Sequence, residues 1–460
     1  MRRVFASGST ILPALNDFAK CQEFGDTFLP GHNLGMMAVR ALTVTGRWNL
    51  RNSKLSPLLV IWSLLFSALN RGFCLESAFM LCLCSYTGTD EPLEEELIKP
   101  NTFHAARKRL GYEPLALLHE LLAGQYVKTI DPRFGRCVVA LDGTKINVPD
   151  TMPNATAFGR GGNQQGESQY PQLLLNLLTT TYDRRVRRFH IYPGNTDEHR
   201  IALDIVDSLT VSDLLVIDRG IPSVLLLAKL MERHIAFAVR IPNDWNVTVL
   251  KMLGPGDTLV ALERRLDSKN IRLVLRLVEF TLGNELYRVL TPLRDLPTEA
   301  FVDLYHERWQ VETAIDEMKN TISAPKRGGE PLLIRSKCPN LVKQEIISLI
   351  LVHGFIREAG RQAAEAQHQT PRDFSFAAWY DRTKTHIEKA TPGSRRRTQL
   401  ATKSCRQRQR SPEKKDRNYP RQARPVRRKW KGRDDKYGQT FRRVSPTFQT
   451  TERTLMGMTG

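Results

Sequence analysis

The alternation of apolar and polar positions divides the chain into five stretches. Up to about residue 125 the apolar positions recur at helical spacing, as in LLVIWSLLFSALNRG and in NTFHAARKRLGYEPLALLHELLA, which opens on Asn101 as a cap. His104, Arg107, Lys108 and Arg109 fall together in that second segment and predict a basic face. Near Gly135 the period changes. RCVVALDGTKINVP predicts a short strand ending at or near Asp142, and QLLLNLLTTTYDRRVRRFHIYPG predicts two strands around the YDRR turn. Helix-like TDEHRIALDIVDSL, the buried strand LLVIDRG ending on Asp218, helix-like SVLLLAKLMERH and the strand IAFAVRIP follow. Hairpin strands leading into alternating helix and strand predict an α/β domain on a mixed sheet.

From about Trp245 to Thr291 the pattern is β again, with four short runs broken by GPGD, DSKN and GNE. After Asp295 come two helical stretches, YHERWQVETAIDEMKN and NLVKQEIISLILVHGFIREA. From about Thr391 Pro, Gln, Arg and Lys dominate, and such a composition predicts a disordered tail. The expected organisation is therefore a helical N-terminal domain over residues 1–125, suited to contacting DNA ends. A catalytic α/β domain over 130–390 follows, interrupted by a β-rich insertion at about 245–293, and residues 391–460 form a basic tail.

The helix predicted at Tyr305–Asn320 has an unusual face. At about 100° per residue, Tyr305, Arg308, Glu312 and Lys319 fall at roughly 0°, 300°, 340° and 320°. A phenol, a guanidinium, a carboxylate and an ammonium thus share one stripe. Val311, Ile315 and Met318 occupy the neighbouring arc, where a core-facing stripe belongs. Taken alone, the segment reads first as a salt-bridged surface helix, and the rest of the chain has to move that reading.

Charge changes the picture of partners more than of fold. The 460 residues carry a net charge of +20, and between Arg395 and Arg443 there are 20 Lys and Arg against four acids. Such a balance points to polyanions, nucleic acid above all. Seven scattered cysteines without a CxxC pair argue against a disulfide framework or a zinc knuckle and for a reducing compartment. LSPLLVIWSLLFSAL is shorter than a membrane span, and MRRVFASGSTILPALND has too short an apolar part for a signal peptide. A cytoplasmic protein is expected.

Two carboxylates stand where stability does not want them. Asp142 and Asp218 each close an apolar strand, and burying a charge is costly without a partner. Active sites of open α/β sheets gather at strand ends. With Glu312 from the later helix these residues form a candidate acidic triad, a donor set suited to hard cations such as Mg²⁺. Two such ions would serve an in-line phosphoryl transfer. Tyr305, Arg308 and Lys319 would then grip DNA phosphates, Arg through its fork and Lys as a point charge.

At this point the sequence resembles the DDE transposases of the insertion-sequence-four family. LDGTKINVPDTMPNATAFG, YPQLLLN, VIDRGIPS and LIRSKCPNLVKQEI are similar to family segments, and YHERWQVETAIDEMK fits the spacing Y-(2)-R-(3)-E-(6)-K without a gap. The resemblance implies a catalytic domain of the RNase H type, with Asp142, Asp218 and Glu312 as catalytic residues and metal ligands. It implies two Mg²⁺ ions, replaceable by Mn²⁺, and Tyr305, Arg308 and Lys319 as contacts to the end DNA. The implied reaction is cut-and-paste transposition by strand hydrolysis, a hairpin and strand transfer. Its implied partners are terminal inverted repeats, target DNA and a second copy in a synaptic dimer on the nucleoid. Trp245 and Trp309 are candidates for stacking a flipped base, though aromatics at such places are more often core. The long Arg- and Lys-rich tail departs from the family pattern.

Two other readings stay open on sequence alone. One is a nuclease or resolvase on the same scaffold, which would cut without joining strands. The other is a transposase-derived DNA-binding protein without catalysis.

Overall fold

The computed structural model describes residues 18–48, 55–71, 100–163, 166–266, 269–282, 285–323 and 334–389, with isolated positions at 75, 78–79, 82–83, 86 and 332. The basic tail lies outside the described residues.

Five helices come first: α1 (Phe18–Asp26), α2 (Leu34–Val44), α3 (Pro57–Leu69), α4 (Pro100–Leu110) and α5 (Glu113–Gln125). The sheet and its helices follow as β1 (Cys137–Asn147), α6 (Met152–Phe158), the short pair β2 (Gly162–Asn163) and β3 (Gly166–Glu167), β4 (Gln172–Thr180), β5 (Val186–Pro193), α7 (Glu198–Ile205), β6 (Asp213–Ile217), α8 (Val224–Glu232) and β7 (Ala236–Arg240). Four strands come next: β8 (Thr248–Gly254), β9 (Asp257–Leu266), β10 (Lys269–Leu282) and β11 (Glu285–Thr291). The chain closes with α9 (Ala300–His306), α10 (Trp309–Asp316), a π-helix (Glu317–Ile322), α11 (Pro339–Glu365) and α12 (Phe376–Lys389).

One nine-stranded sheet dominates, in the order β5-β4-β1-β6-β7-β11-β10-β9-β8. Its centre is parallel, β1 with β6 and β6 with β7, and its flanks are antiparallel. The fold is therefore mixed α/β. The four strands read between Trp245 and Thr291 are β8–β11, and they extend the same sheet through the pairing of β11 with β7. The YDRR turn joins β4 to β5 as the alternation predicts.

Alternate side chains of the central strands serve different layers. Val139 and Leu141 of β1 and Leu215 and Ile217 of β6 pack in the core under α7 and α8. On the opposite face Val138, Leu214 and Val216 meet Phe301, Leu304 and Tyr305 of α9. Ala140 and Ile146 belong to the largest core, which contains Val311 and Met318 of the later helices, most of α3 and the apolar residues of α11 from Val342 to Ile356. The helical N-terminal region is joined to this core by direct contacts. Phe28 stacks on Trp62 at 5.7 Å and approaches Phe355 at 6.4 Å, and the Tyr380 hydroxyl donates to the Leu69 carbonyl at 2.6 Å.

The basic face expected on α4 needs correction. His104, Lys108 and Arg109 are exposed, whereas Arg107 is buried. Its guanidinium donates to Gln344 and Ser336 at 3.2 Å each, so it ties α4 to α11 and its approach. A helical wheel sees only the segment itself and cannot show a partner more than 200 residues away.

Candidate active site

Strand register assembles the two aspartates. β1 and β6 run parallel from Cys137 opposite Asp213 to Leu141 opposite Ile217, where their pairing ends. Asp142 and Asp218 are the next residue on each strand. Both continue the even-numbered face, so they leave the sheet side by side toward the helices that carry the signature residues. Asp142 does not end its strand, contrary to the sequence reading. β1 runs on to Asn147 because β4 keeps pairing with it as far as Gln172. What ends at Asp142 is the neighbour β6, and that opens one side of β1.

The predicted helix at Tyr305–Asn320 is also not one α-helix. α9 stops at His306, the backbone tightens through Arg308 N–H to Tyr305 O and Val311 N–H to Arg308 O, and α10 resumes at Trp309. At Glu317 the hydrogen bonding widens into the π-helix. All four stripe residues nevertheless face the two strands.

The Tyr305 hydroxyl donates to Asp218 Oδ1 at 2.7 Å. Arg308, only 6% exposed, lies 2.8 Å from Glu312 Oε1 through its Nη1. Lys319 Nζ reaches across to the Thr144 hydroxyl and, at 3.2 Å, to the Lys145 carbonyl of β1.

Asp142 and Asp218 are shifted in opposite directions. Burial pushes Asp142 up to about 6; the Gly143 amide at 2.8 Å and Arg308 oppose this, and the charges of Glu312 and Asp218 add to it. At Asp218 burial is outweighed by Arg308, the Tyr305 hydroxyl, the Arg219 amide and Arg240, which hold the carboxyl below its usual range. Arg308 rises despite burial because Asp218, Tyr305 and Glu312 surround it. Burial depresses Lys319, and Asp142 and Asp316 resist the shift. The three acids and three signature partners thus form one coupled charge set.

Among the described residues no three His, Cys, Asp or Glu side chains are gathered closely enough to make a finished metal cage. The donor set still fits a hard cation. Asp142 is desolvated and raised by two like charges, and a divalent ion would relieve both costs.

Sequence reasoning missed Arg240. It ends β7 as Asp218 follows β6, lies 4.0 Å from Asp218, donates to Glu285 at 3.2 Å and stacks 4.1 Å over the Tyr287 ring. A charge closing the apolar run IAFAV was a signal of the same kind as the two aspartates. Thr144 was also missed, and its partner Lys319 lies 175 residues away. Of the aromatic candidates, Trp245 is partly buried against the second core, and Trp309 is 38% exposed beside His306.

The domain model described as Transposase DDE domain matches residues 133–327, which span Asp142, Asp218 and all four signature residues. The chain is 24% identical over 352 residues to the transposase InsG for insertion sequence element IS4 of Escherichia coli (strain K12), covering 74% of this chain and 77% of that protein. A solved piggyBac transposase synaptic complex with hairpin DNA is similar over 85% of each chain, at 9% identity and a TM-score of 0.41. The domain match and the curated relative, at modest identity, support a DDE transposase of the insertion-sequence-four family.

Proposed function

We propose that this chain is a DNA transposase that excises and reinserts an insertion sequence, with Asp142, Asp218 and Glu312 as catalytic residues. The observation that carries this reading is the register of β1 and β6. It brings Asp142 and Asp218 together where the strands part, facing the segment from α9 to the π-helix that carries Tyr305, Arg308, Glu312 and Lys319. The reading takes the α/β domain to be of the RNase H type and its partner to be double-stranded DNA. It further takes the active form to be a dimer on the nucleoid.

Asp142, Asp218 and Glu312 would hold two Mg²⁺ ions. When bound, these supply charge stabilisation for the attacking and leaving oxygens of an in-line displacement. The chain's own groups do the rest. Arg308 presents a buried guanidinium between Asp218 and Glu312, where a phosphate could exchange for a carboxylate. Lys319 places an ammonium beside the strand that bears Asp142. Tyr305 holds Asp218 in one rotamer through its hydroxyl. In the proposed reaction water attacks the phosphorus at the element end, the P–O3′ bond breaks, and a 3′-hydroxyl and a 5′-phosphate result. The 3′-hydroxyl then attacks the opposite strand, forming a hairpin and freeing the flank. After the hairpin is opened, the 3′-hydroxyl attacks target DNA.

The test is a supercoiled plasmid carrying the element's two ends, incubated with the full chain and Mg²⁺. Wild type should excise the element, and Glu312→Gln should bind the ends without cutting. Cutting without strand joining would favour the nuclease reading, and binding without metal-dependent cutting by wild type would favour the inactive one.

A further inference from the structure

The site is held from behind by a buried ionic cluster that the reaction does not touch. Glu317 opens the π-helix and is 6% exposed. His353 Nε2 lies 3.0 Å from its Oε2, Arg357 Nε donates to the same oxygen at 2.9 Å, and the Arg357 Nη2 donates to Oε1. Arg184, from the β4–β5 turn, reaches Oε1 at 3.4 Å and donates to Gln310 of α10 at 2.6 Å. Two elements remote in sequence, α11 and the β4–β5 turn, thus grip the helix within two residues of Lys319.

On the other side of the backbone, Lys319 is half-buried as it reaches across to β1. Beneath it lies a small apolar cleft lined by Thr144, Ile146, Met318, Leu332, Ile346 and Ile350. Lys319 lines that cleft too, so its flexible four-carbon stem runs along apolar side chains while the ammonium reaches polar groups of β1. Where that stem starts is set by the backbone, and that backbone is a π-turn, a less regular form found mostly as single turns at functional sites. The widened turn is closed by Ser323 Oγ donating to Met318 O at 2.8 Å and by the Leu332 amide donating to Lys319 O at 3.1 Å.

We infer that Glu317 is a positioning residue. Pinned by Arg357, His353 and Arg184, it fixes the π-turn and so delivers the Lys319 ammonium to Thr144 and the Lys145 carbonyl, on the stretch of β1 just past Asp142. This rests on the transposase reading above. The inference differs from a general stabilising role in one respect: the effect of Glu317 on cleavage passes through Lys319.

A double-mutant cycle on DNA cleavage tests that difference. The full chain is assayed with Mg²⁺ on the plasmid substrate as wild type, Glu317→Gln, Lys319→Ala and the double variant. Misplacement of a catalytic contact by about 1 Å costs about 100-fold, so each single variant is expected to lose about 10- to 100-fold in cleavage rate. The double variant should lose no more than Lys319→Ala alone, because the two act in series. Losses that multiply, or a Lys319→Ala variant as active as wild type, overturn the inference while leaving the transposase reading intact. A wild-type chain that cuts no DNA overturns both. If Glu317→Gln does not fold, Arg357→Lys replaces it in the cycle. That variant keeps the charge and loses the two-pronged contact, and the same non-additivity is required of it.

Discussion

Tyr305 and Asp218 are 87 residues apart in sequence and share a hydrogen bond of 2.7 Å, from the phenol to Oδ1. The bond joins the first residue of the signature to the second acid of the site. It also helps Arg308 and Arg240 hold the Asp218 carboxyl ionised against burial. A charge-assisted bond of this kind is worth about 1.5–3 kcal/mol. Tyr305→Phe should therefore slow cleavage by about 10- to 100-fold with little change in the affinity for end DNA. Single-turnover cleavage and a gel-shift titration on the same preparation check it, and an equal loss in both would assign Tyr305 to binding alone.

Glu312 and Arg308 lie 2.8 Å apart, and the carboxylate helps keep the buried guanidinium charged. Glu312→Gln leaves Arg308 in place and removes one acid from the triad. Loss of a ligand charge at a metal-assisted phosphoryl transfer costs several kcal/mol, or about a thousandfold or more in rate. End binding should persist. Removing divalent ions with a chelator should abolish wild-type cutting in the same way, and restoring Mg²⁺ should rescue wild type only.

The β8–β11 extension carries its own buried ion pair. Arg276 meets both oxygens of Asp257, at 2.8 and 2.7 Å, and also donates to the Leu296 carbonyl at 2.6 Å. Asp257→Ala would leave the guanidinium buried and without its carboxylate, at a cost of about 3–5 kcal/mol. Calorimetry should show a melting temperature lowered by several degrees. A melting curve that matches wild type would mean that solvent reaches Arg276 there.

Acid should act through the cluster behind the site. Burial alone would raise Glu317, but Arg357, His353 and Arg184 overcome it and bring the carboxyl down from 4.5 to about 2. A depressed carboxylate contributes stability that is present above its unfolded value and lost as pH falls through the folded one. Glu317 therefore contributes fully above about pH 5, and its contribution drains away as pH falls from about 4.5 toward 2. Glu358, held down to about 2 against burial by His32, Arg361 and Arg185, adds to the same decline. Denaturant unfolding at stepped pH should show it, with a shallower slope for Glu317→Gln. An unchanged slope would mean that Glu317 is no more ionised in the folded chain than in the unfolded one.

Much of the site was legible because its signals are local. Asp142 and Asp218 were visible as charges closing apolar runs, and Tyr305, Arg308, Glu312 and Lys319 as a stripe of fixed spacing. Even so, the helix that suggested the stripe is three segments, α9, α10 and a π-turn. The spacing survived because every segment stays right-handed and helical.

By itself the sequence determined the alternation of helix and strand, the polyanion-seeking charge, the two acids that follow apolar runs and the spacing of the four signature residues. These are properties of nearest neighbours and of period, and each is written within a few residues. The tertiary structure alone decided which groups meet. Strand register, set by pairing along whole strands, put Asp142 beside Asp218 and carried β1 past its acid to Thr144. Burial against α11 turned Arg107 from an expected surface charge into a tie and made Glu317 an anchor through His353 and Arg357. Such contacts join residues 36 to more than 200 positions apart, and their energy depends on what water each has lost, which no local pattern records.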